Sequence, residues 1–196
     1  MGDGGGMRPG YFLRIGRRLR GPLLFVAALA AMLLPAGVAL AQQMAAATGE
    51  QTGSATGLTL PRYASLKTDR VNLREGPDKA HATKWVFQRA GLPVEITAEF
   101  ETWRKVRDSE GSEGWVLHSL LSGRRTALVA PGKKKETFKA FTSASERGDL
   151  AATLESGVIV NIRSCDGAWC YVDGDGFKGY IQQYNLWGVY PGDKVQ

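Results

Sequence analysis

An internal repeat limits what this chain can fold into more than any other feature. Val94-Glu95-Ile96, Trp103 and Val106 recur as Val160-Asn161-Ile162, Trp169 and Val172, all at an offset of 66 residues, and Gly91 recurs as Gly157. The next block, Gly114-Trp115-Val116 with Leu121, returns as Gly179-Tyr180-Ile181 with Leu186 at an offset of 65, one residue having been lost from the intervening loop. Self-similarity at a fixed period means that one structural unit is used twice. Each unit spans roughly 60 to 65 residues, about the smallest size that folds without a metal or several disulfides.

The pattern inside each unit is that of a small antiparallel sheet. Val158, Val160 and Ile162 alternate with Ile159, Asn161 and Arg163, and Val94, Ile96, Ala98 and Phe100 alternate with polar neighbours, as strands do when one face is buried. Turn signals separate the short β runs beyond Leu58, and no helix of three turns is indicated. Trp103 and Trp169 open the return strands, where large rings suit a core with few residues. The expected fold is therefore all-β, two small barrels in tandem. Their boundary is expected in Val129-Ala130-Pro131-Gly132-Lys133-Lys134-Lys135, where a Pro-Gly pair and three like charges interrupt the apolar pattern. The lysine run reads as a solvated connector, with a grip on an anionic polymer as the alternative.

The N-terminal residues belong to a different physical class. Arg8, Arg14, Arg17, Arg18 and Arg20 precede an uncharged run from Leu23 to Ala41 that closes with Ala39-Leu40-Ala41. A basic segment, an apolar run and small residues at a cleavage site outline a secretory signal peptide over residues 1–41, with cleavage before Gln42. The run approaches the ~20 residues that span a bilayer, so an uncleaved anchor in the inner membrane, facing the periplasm, is the alternative. Pro35 and Gly37 break the run near its end and favour cleavage. Residues 42–60, rich in Gln, Ala, Thr, Gly and Ser and without an apolar period, are expected to be a flexible linker.

Charge narrows the partners. The chain carries 25 basic and 19 acidic side chains, a net +6, and residues 1–41 hold five Arg and one Asp, leaving 20 against 18, or +2. A mature chain so close to neutral lacks the electrostatic footprint of a nucleic-acid binder, and that partner is excluded. Contact with a membrane is expected only through the signal segment, if that stays attached.

One segment points to a family. Arg70-Val71-Asn72-Leu73-Arg74-Glu75-Gly76-Pro77 resembles the opening of bacterial SH3-like domains, in which Asn-Leu-Arg-x-Gly-Pro leads the barrel. Gly91 before a β run, Trp103 followed by Val106, and Gly114-Trp115-Val116 before a short turn continue that pattern, and the resemblance covers about Tyr63 to Val129. The second unit is similar from Leu150 through Gly157, Trp169 and Gly179-Tyr180-Ile181, but its opening is Phe138-Lys139-Ala140-Phe141-Thr142-Ser143, so a ligand role of Asn72 or Arg74 does not transfer to it. The resemblance implies two SH3-like barrels, 61–130 and 137–196, joined by a connector at 131–136. It further implies an exported, periplasmic binding module of the cell envelope whose partner is a peptidoglycan peptide or glycan, the alternative being docking to another envelope protein by strand addition at a barrel edge. The motif Asn72, Leu73, Arg74, Gly76 and Pro77 has a structural reading beside the resemblance: Asn72 bridges backbone groups, Arg74 pairs with a carboxylate across the sheet, and Gly76-Pro77 sets a turn.

Candidate chemistry is sparse. Cys165 and Cys170 are the two cysteines, and in an oxidising compartment they are expected to form a disulfide. A loop comprising the four residues Asp166 to Trp169 would set them opposite each other on adjacent strands, whereas a two-residue turn would offset them. His81 and His118 lie in the other unit, so neither a metal site nor a Cys-His catalytic pair is expected, and no cofactor is implied. Asp108, Glu110, Glu113, Asp173 and Asp175 flank turn glycines and read as solvated turn acids, so no enzyme is expected. What remains is aromatic surface. Tyr180, Tyr184, Trp187 and Tyr190 exceed what one strand and a turn need, and Trp115 and Trp85 are similar in the first unit. The expected ligand-binding residues are Tyr184 and Trp187, then Tyr180 and Trp115.

Overall fold

A computed structural model describes residues 51–196, so the expected signal peptide and the start of the linker lie outside the described residues. Two short strands come first, β1 (Gln51–Thr52) and β2 (Thr59–Leu60). The first barrel follows as β3 (Arg62–Leu66), β4 (Val71–Arg74), β5 (Thr83–Phe87), β6 (Pro93–Phe100), β7 (Trp103–Arg107), β8 (Glu113–Leu117) and β9 (Leu121–Ser122). The second comprises β10 (Thr126–Val129), β11 (Thr137–Phe141), β12 (Leu150–Glu155), β13 (Ile159–Asp166), β14 (Trp169–Gly174), β15 (Phe177–Gln182), β16 (Leu186–Trp187) and β17 (Lys194–Val195). The described residues are all-β, as expected.

The two sheets share one topology. The first runs β5-β4-β8-β7-β6-β3-β9 and the second β12-β11-β15-β14-β13-β10-β16, with β17 added beside β13. Strand β10 is therefore the counterpart of β3, and it pairs with β13 and β16. This moves the boundary expected at residues 131–136 back to the segment before Thr126: Val129 and Ala130 are core residues of the second barrel. The apolar residues of β10 gave the second unit a first strand that lies ahead of its Pro-Gly-Lys turn.

Each barrel has its own core. Leu66, Val71, Leu73, Val94, Val106 and Val116 fill the first, and Val129, Ala140, Val160, Cys170, Val172 and Ile181 the second. A register shift between Ile96 and Ala98, and its counterpart between Ile162 and Ser164, inserts one extra residue into β6 and β13. Such a bulge reverses the faces beyond it. Phe100, expected inside by simple alternation, is consequently exposed, while Glu99 points inward with no exposed side-chain surface.

The linker expected over residues 42–60 is ordered from Gln51 onward, because that inward carboxylate holds it. Ala55 N–H and Thr56 N–H donate to Glu99 Oε2 at 3.0 and 2.9 Å, the Thr56 hydroxyl donates to Oε1 at 2.8 Å, and Leu60 enters the first core. The turn passes so close that a Cβ on Gly53 would sit 2.3 Å from Glu99 Cδ. Polar composition suggested a tether because the stabilising partner lies more than forty residues away in sequence.

Candidate functional site

The second barrel carries a groove lined by five aromatic rings, Tyr63 of the first barrel with Trp169, Tyr184, Trp187 and Tyr190. Strand β14 opens at Trp169 after Gly167-Ala168, and a single 3-10 turn, Gln183–Asn185, follows β15. The Gln183 N–H donates to the Ala168 carbonyl at 2.8 Å, which fastens these two segments together. Between them and the loop Tyr190-Pro191-Gly192 lies a groove of about 510 Å³. Gln183 itself is buried and structural: its amide donates to the Asp193 carbonyl at 2.9 Å and accepts from Gly192 N–H at 3.0 Å, shaping the far wall.

Tyr184 stands at the lip, 78% exposed, with its hydroxyl donating to Gln182 Oε1. Trp169 forms the half-buried floor and meets Phe141 edge-on, 6.0 Å between centroids. None of the lining residues carries a charge. Flat rings and neutral amides can stack on a sugar or apolar side chain and exchange hydrogen bonds with hydroxyl or peptide groups.

Trp187, the other leading candidate, has a double position. It lines the groove, yet its ring also packs edge-on against Tyr63 of the first barrel at 5.2 Å, and Tyr63 lies 4.7 Å from Tyr190. The Tyr190 hydroxyl donates to Glu95 Oε1 at 2.8 Å, and Arg107 holds the other oxygen of that buried carboxylate. Burial and the Glu95 charge push the Tyr63 hydroxyl up to about 12, and burial with the hydrogen bond to Glu95 raises Tyr190 as well, so both rings stay neutral. Nearby, Thr126 Oγ1 donates to the Gly91 carbonyl at 2.7 Å and lies 2.6 Å from the Ser65 hydroxyl, so the barrels are joined by a seam of rings and hydrogen bonds.

The other two expected residues lie elsewhere. Tyr180 packs on Tyr171 at 4.9 Å and does not line the groove, and Trp115 sits opposite Arg74 and Lys105 on the sheet of the first barrel. Sequence reasoning missed Tyr63, Gln182 and the floor position of Trp169. Tyr63 is brought in by the seam, which no local pattern announces. Trp169, expected to serve the core, is half-buried outside the core cluster and packs on Phe141.

The family motif in the first barrel builds the barrel, with two changes from expectation. Leu73 is core. Arg74 pairs with no carboxylate among the described residues; its Nη1 donates to the carbonyls of Lys79 at 3.1 Å and His81 at 2.7 Å and so braces the following loop. The His81 ring packs over Gly76 so closely that a Cβ there would lie 2.4 Å from it and the ring would have to move. Asn72 is exposed, bridges no backbone groups among the described residues, and lines a smaller groove of about 250 Å³.

Cys165 and Cys170 are disulfide-bonded and directly opposite in register, Cα atoms 4.1 Å apart. The loop is not the four residues Asp166 to Trp169 but the two residues Gly167 and Ala168, and because this turn is centred between the cysteines they still face each other; Asp166 Oδ1 accepts from the N–H groups of Ala168 and Trp169 at 2.8 Å. Of the turn acids, Asp108 caps its own loop, Glu113 pairs with Lys105 at 2.7 Å and Asp173 with Arg163 at 2.7 Å. Among the described residues no three His, Cys, Asp or Glu side chains cluster as metal ligands.

The model of the bacterial SH3 domain matches residues 67–123 and again residues 134–188. No curated protein matches the chain. Similar solved structures include NlpC2 from Trichomonas vaginalis (16% identity, 65% of this chain and 48% of that one, TM-score 0.30) and NlpC1 from the same organism (17%, 69% and 48%, 0.30). An NlpC/P60 family protein from Bacillus cereus is similar at 14% identity over 64% of this chain and 55% of that one, TM-score 0.29. The chain spans about half the length of these proteins.

Proposed function

This chain belongs to the bacterial SH3 domain family, and from that premise we propose that it is an exported, non-catalytic binding module of the cell envelope that holds a peptidoglycan glycan or peptide in the aromatic groove of its second barrel. Export rests on the arginine-rich start, the uncharged run and the Ala39-Leu40-Ala41 site. The observation that carries the reading is the uncharged groove with Tyr184 exposed above Trp169. A large ring left in solvent beside a half-buried one is an anchor geometry for a flat or apolar ligand face, and neutral amides beside it suit hydroxyl and peptide groups.

The test is retention of the chain from Gln42 to Gln196 on isolated, protein-free peptidoglycan sacculi. The wild type should be retained and Tyr184→Ala should bind about tenfold more weakly, the usual consequence of truncating an aromatic anchor. Trp187→Ala is a poorer probe because it also loosens the seam with Tyr63. Absence of retention would overturn the wall-binding reading and favour docking of another envelope protein, for which strand β5, at the end of its sheet with Trp85 60% exposed, offers an edge.

A further inference from the structure

In the first barrel the repeat sets Thr102, Trp103, Leu117, His118 and Ser119 around a hollow equivalent to the aromatic groove, and beside it, sharing Lys79, Trp103 and Leu117, lies a second groove whose chemistry differs. His118 N–H donates to the Thr102 carbonyl at 2.8 Å, as Gln183 N–H does to Ala168, so Trp103 and the 3-10 turn after β8 occupy the positions of Trp169 and the turn after β15. Arg74 is cross-strand from Trp115, whereas its counterpart Phe141 is cross-strand from Tyr180. Arg74 lines the first-barrel groove, whereas Phe141 lies outside the aromatic groove and packs against its residue Trp169. In the first barrel the groove is lined by Arg70, Arg74 and Lys79, with Asn72 between them, over Trp103 and Leu117. No lining residue of that 250 Å³ groove is acidic, although Asp78 lines the hollow beside it, where its Oδ1 accepts from Ala80 N–H.

The cations of this groove, like Lys67 and Arg89, differ from the ion-paired cations of the same barrel. Arg62 and Arg104 are paired with Glu99, Lys105 with Glu113 and Arg107 with Glu95. Arg70, Arg74 and Lys79 form no ion pair among the described residues. Arg74 is moreover fixed by the two carbonyls it braces, so its planar fork is oriented in advance. We propose that the first-barrel groove is a carboxylate-binding site for the free end of a short peptide, with Arg70, Arg74 and Lys79 taking the carboxylate, Asn72 the adjacent peptide group, and Trp103 and Leu117 the apolar side chain. The small volume and apolar floor fit a peptide end rather than a run of phosphates. The site is independent of the aromatic groove and its proposed ligand.

The test compares acetyl-trialanine, with its free carboxylate, against the same peptide as a C-terminal amide and against inorganic phosphate, each titrated into the chain from Gln42 and followed by backbone amide NMR shifts. The acid is expected to shift the resonances of Arg70, Asn72, Trp103 and Leu117 at concentrations up to about 10 mM, with the amide at least tenfold weaker and phosphate weaker than the acid. The double variant Arg70→Gln, Lys79→Gln should lower affinity for the acid about tenfold or more, while its unchanged amide spectrum elsewhere shows that it is folded. Equal response to acid and amide, a phosphate response as strong as the acid's, or no shift at these residues would each overturn the proposal. Because the readout is at the first barrel, these outcomes are separate from success or failure on sacculi.

Discussion

Glu99 is ionised in a place that should resist ionisation. Burial alone would raise its pKa, but hydrogen bonds from Arg62, from the Thr56 hydroxyl and from the N–H groups of Ala55 and Thr56 overcome that and hold the carboxyl down to about 2, against an ordinary value of 4.5. A carboxyl depressed on folding contributes stability that is present above the unfolded value and is lost as pH falls through the folded one. The contribution should therefore be complete above about pH 5 and disappear between there and pH 2. Allowing for solvent screening it amounts to about 2 kcal/mol at neutral pH. Urea midpoints of wild type and Glu99→Gln should differ at pH 7 and converge near pH 2; a constant difference across that range would show that the charge is not what holds the clamp. Gly53→Ala pushes a methyl group into the same carboxylate and should cost about 1 to 3 kcal/mol in the same assay, with residues 51–58 gaining amide exchange.

At the scale of elements, the two hairpins β6-β7 and β13-β14 solve one problem in two ways. Each has a bulge, and beyond it one residue points inward opposite a partner on the return strand: Glu99 opposite Arg104 in the first barrel, Cys165 opposite Cys170 in the second. The first pair is an ion pair at 3.3 Å and the second a disulfide. Reduction should cost the second barrel about 2 kcal/mol in the chain-entropy picture, measured as a lower urea midpoint with dithiothreitol, and Cys165→Ala, Cys170→Ala should reproduce it. No effect of either would mean the bond adds nothing to the sheet. The repeat made the hairpins and their tryptophans legible in sequence, and the two cysteines suggested their own pairing, although the turn between them is the two-residue one that was expected to offset them. The bulges were not: Phe100 continues a correct alternation and is displaced by one inserted residue that leaves no mark in composition. Strand β10 escaped for a related reason, since Thr126-Ala-Leu-Val shares only the alanine with its counterpart Tyr63-Ala-Ser-Leu.

At the scale of the molecule, the described residues 51–196 fall in one compact unit, and the seam joins the two small barrels within it. Tyr63 from one barrel is held between Trp187 and Tyr190 of the other, and the Tyr190-Glu95-Arg107 chain links their buried polar groups. The wild type should unfold in one calorimetric transition, and Tyr63→Ala should broaden it or split it in two, because the loss of an aromatic cluster of this size costs about 3 kcal/mol and falls entirely on the coupling between the barrels. A single sharp transition in the variant would locate the coupling elsewhere. The seam was invisible in sequence because its members are spread from Tyr63 to Tyr190 with no common period, and Tyr63 also lines one side of the aromatic groove.

The central claim, that this groove is the recognition surface, is tested most directly by titrating soluble fragments of enzymatically digested peptidoglycan into the chain from Gln42 while following backbone and indole NMR shifts. The account predicts shifts concentrated at Trp169, Gln182, Tyr184 and Gly192, about tenfold weaker binding in Tyr184→Ala, and an unchanged fold in that variant. Shifts that fall elsewhere on the surface, or that survive undiminished in Tyr184→Ala, would contradict it.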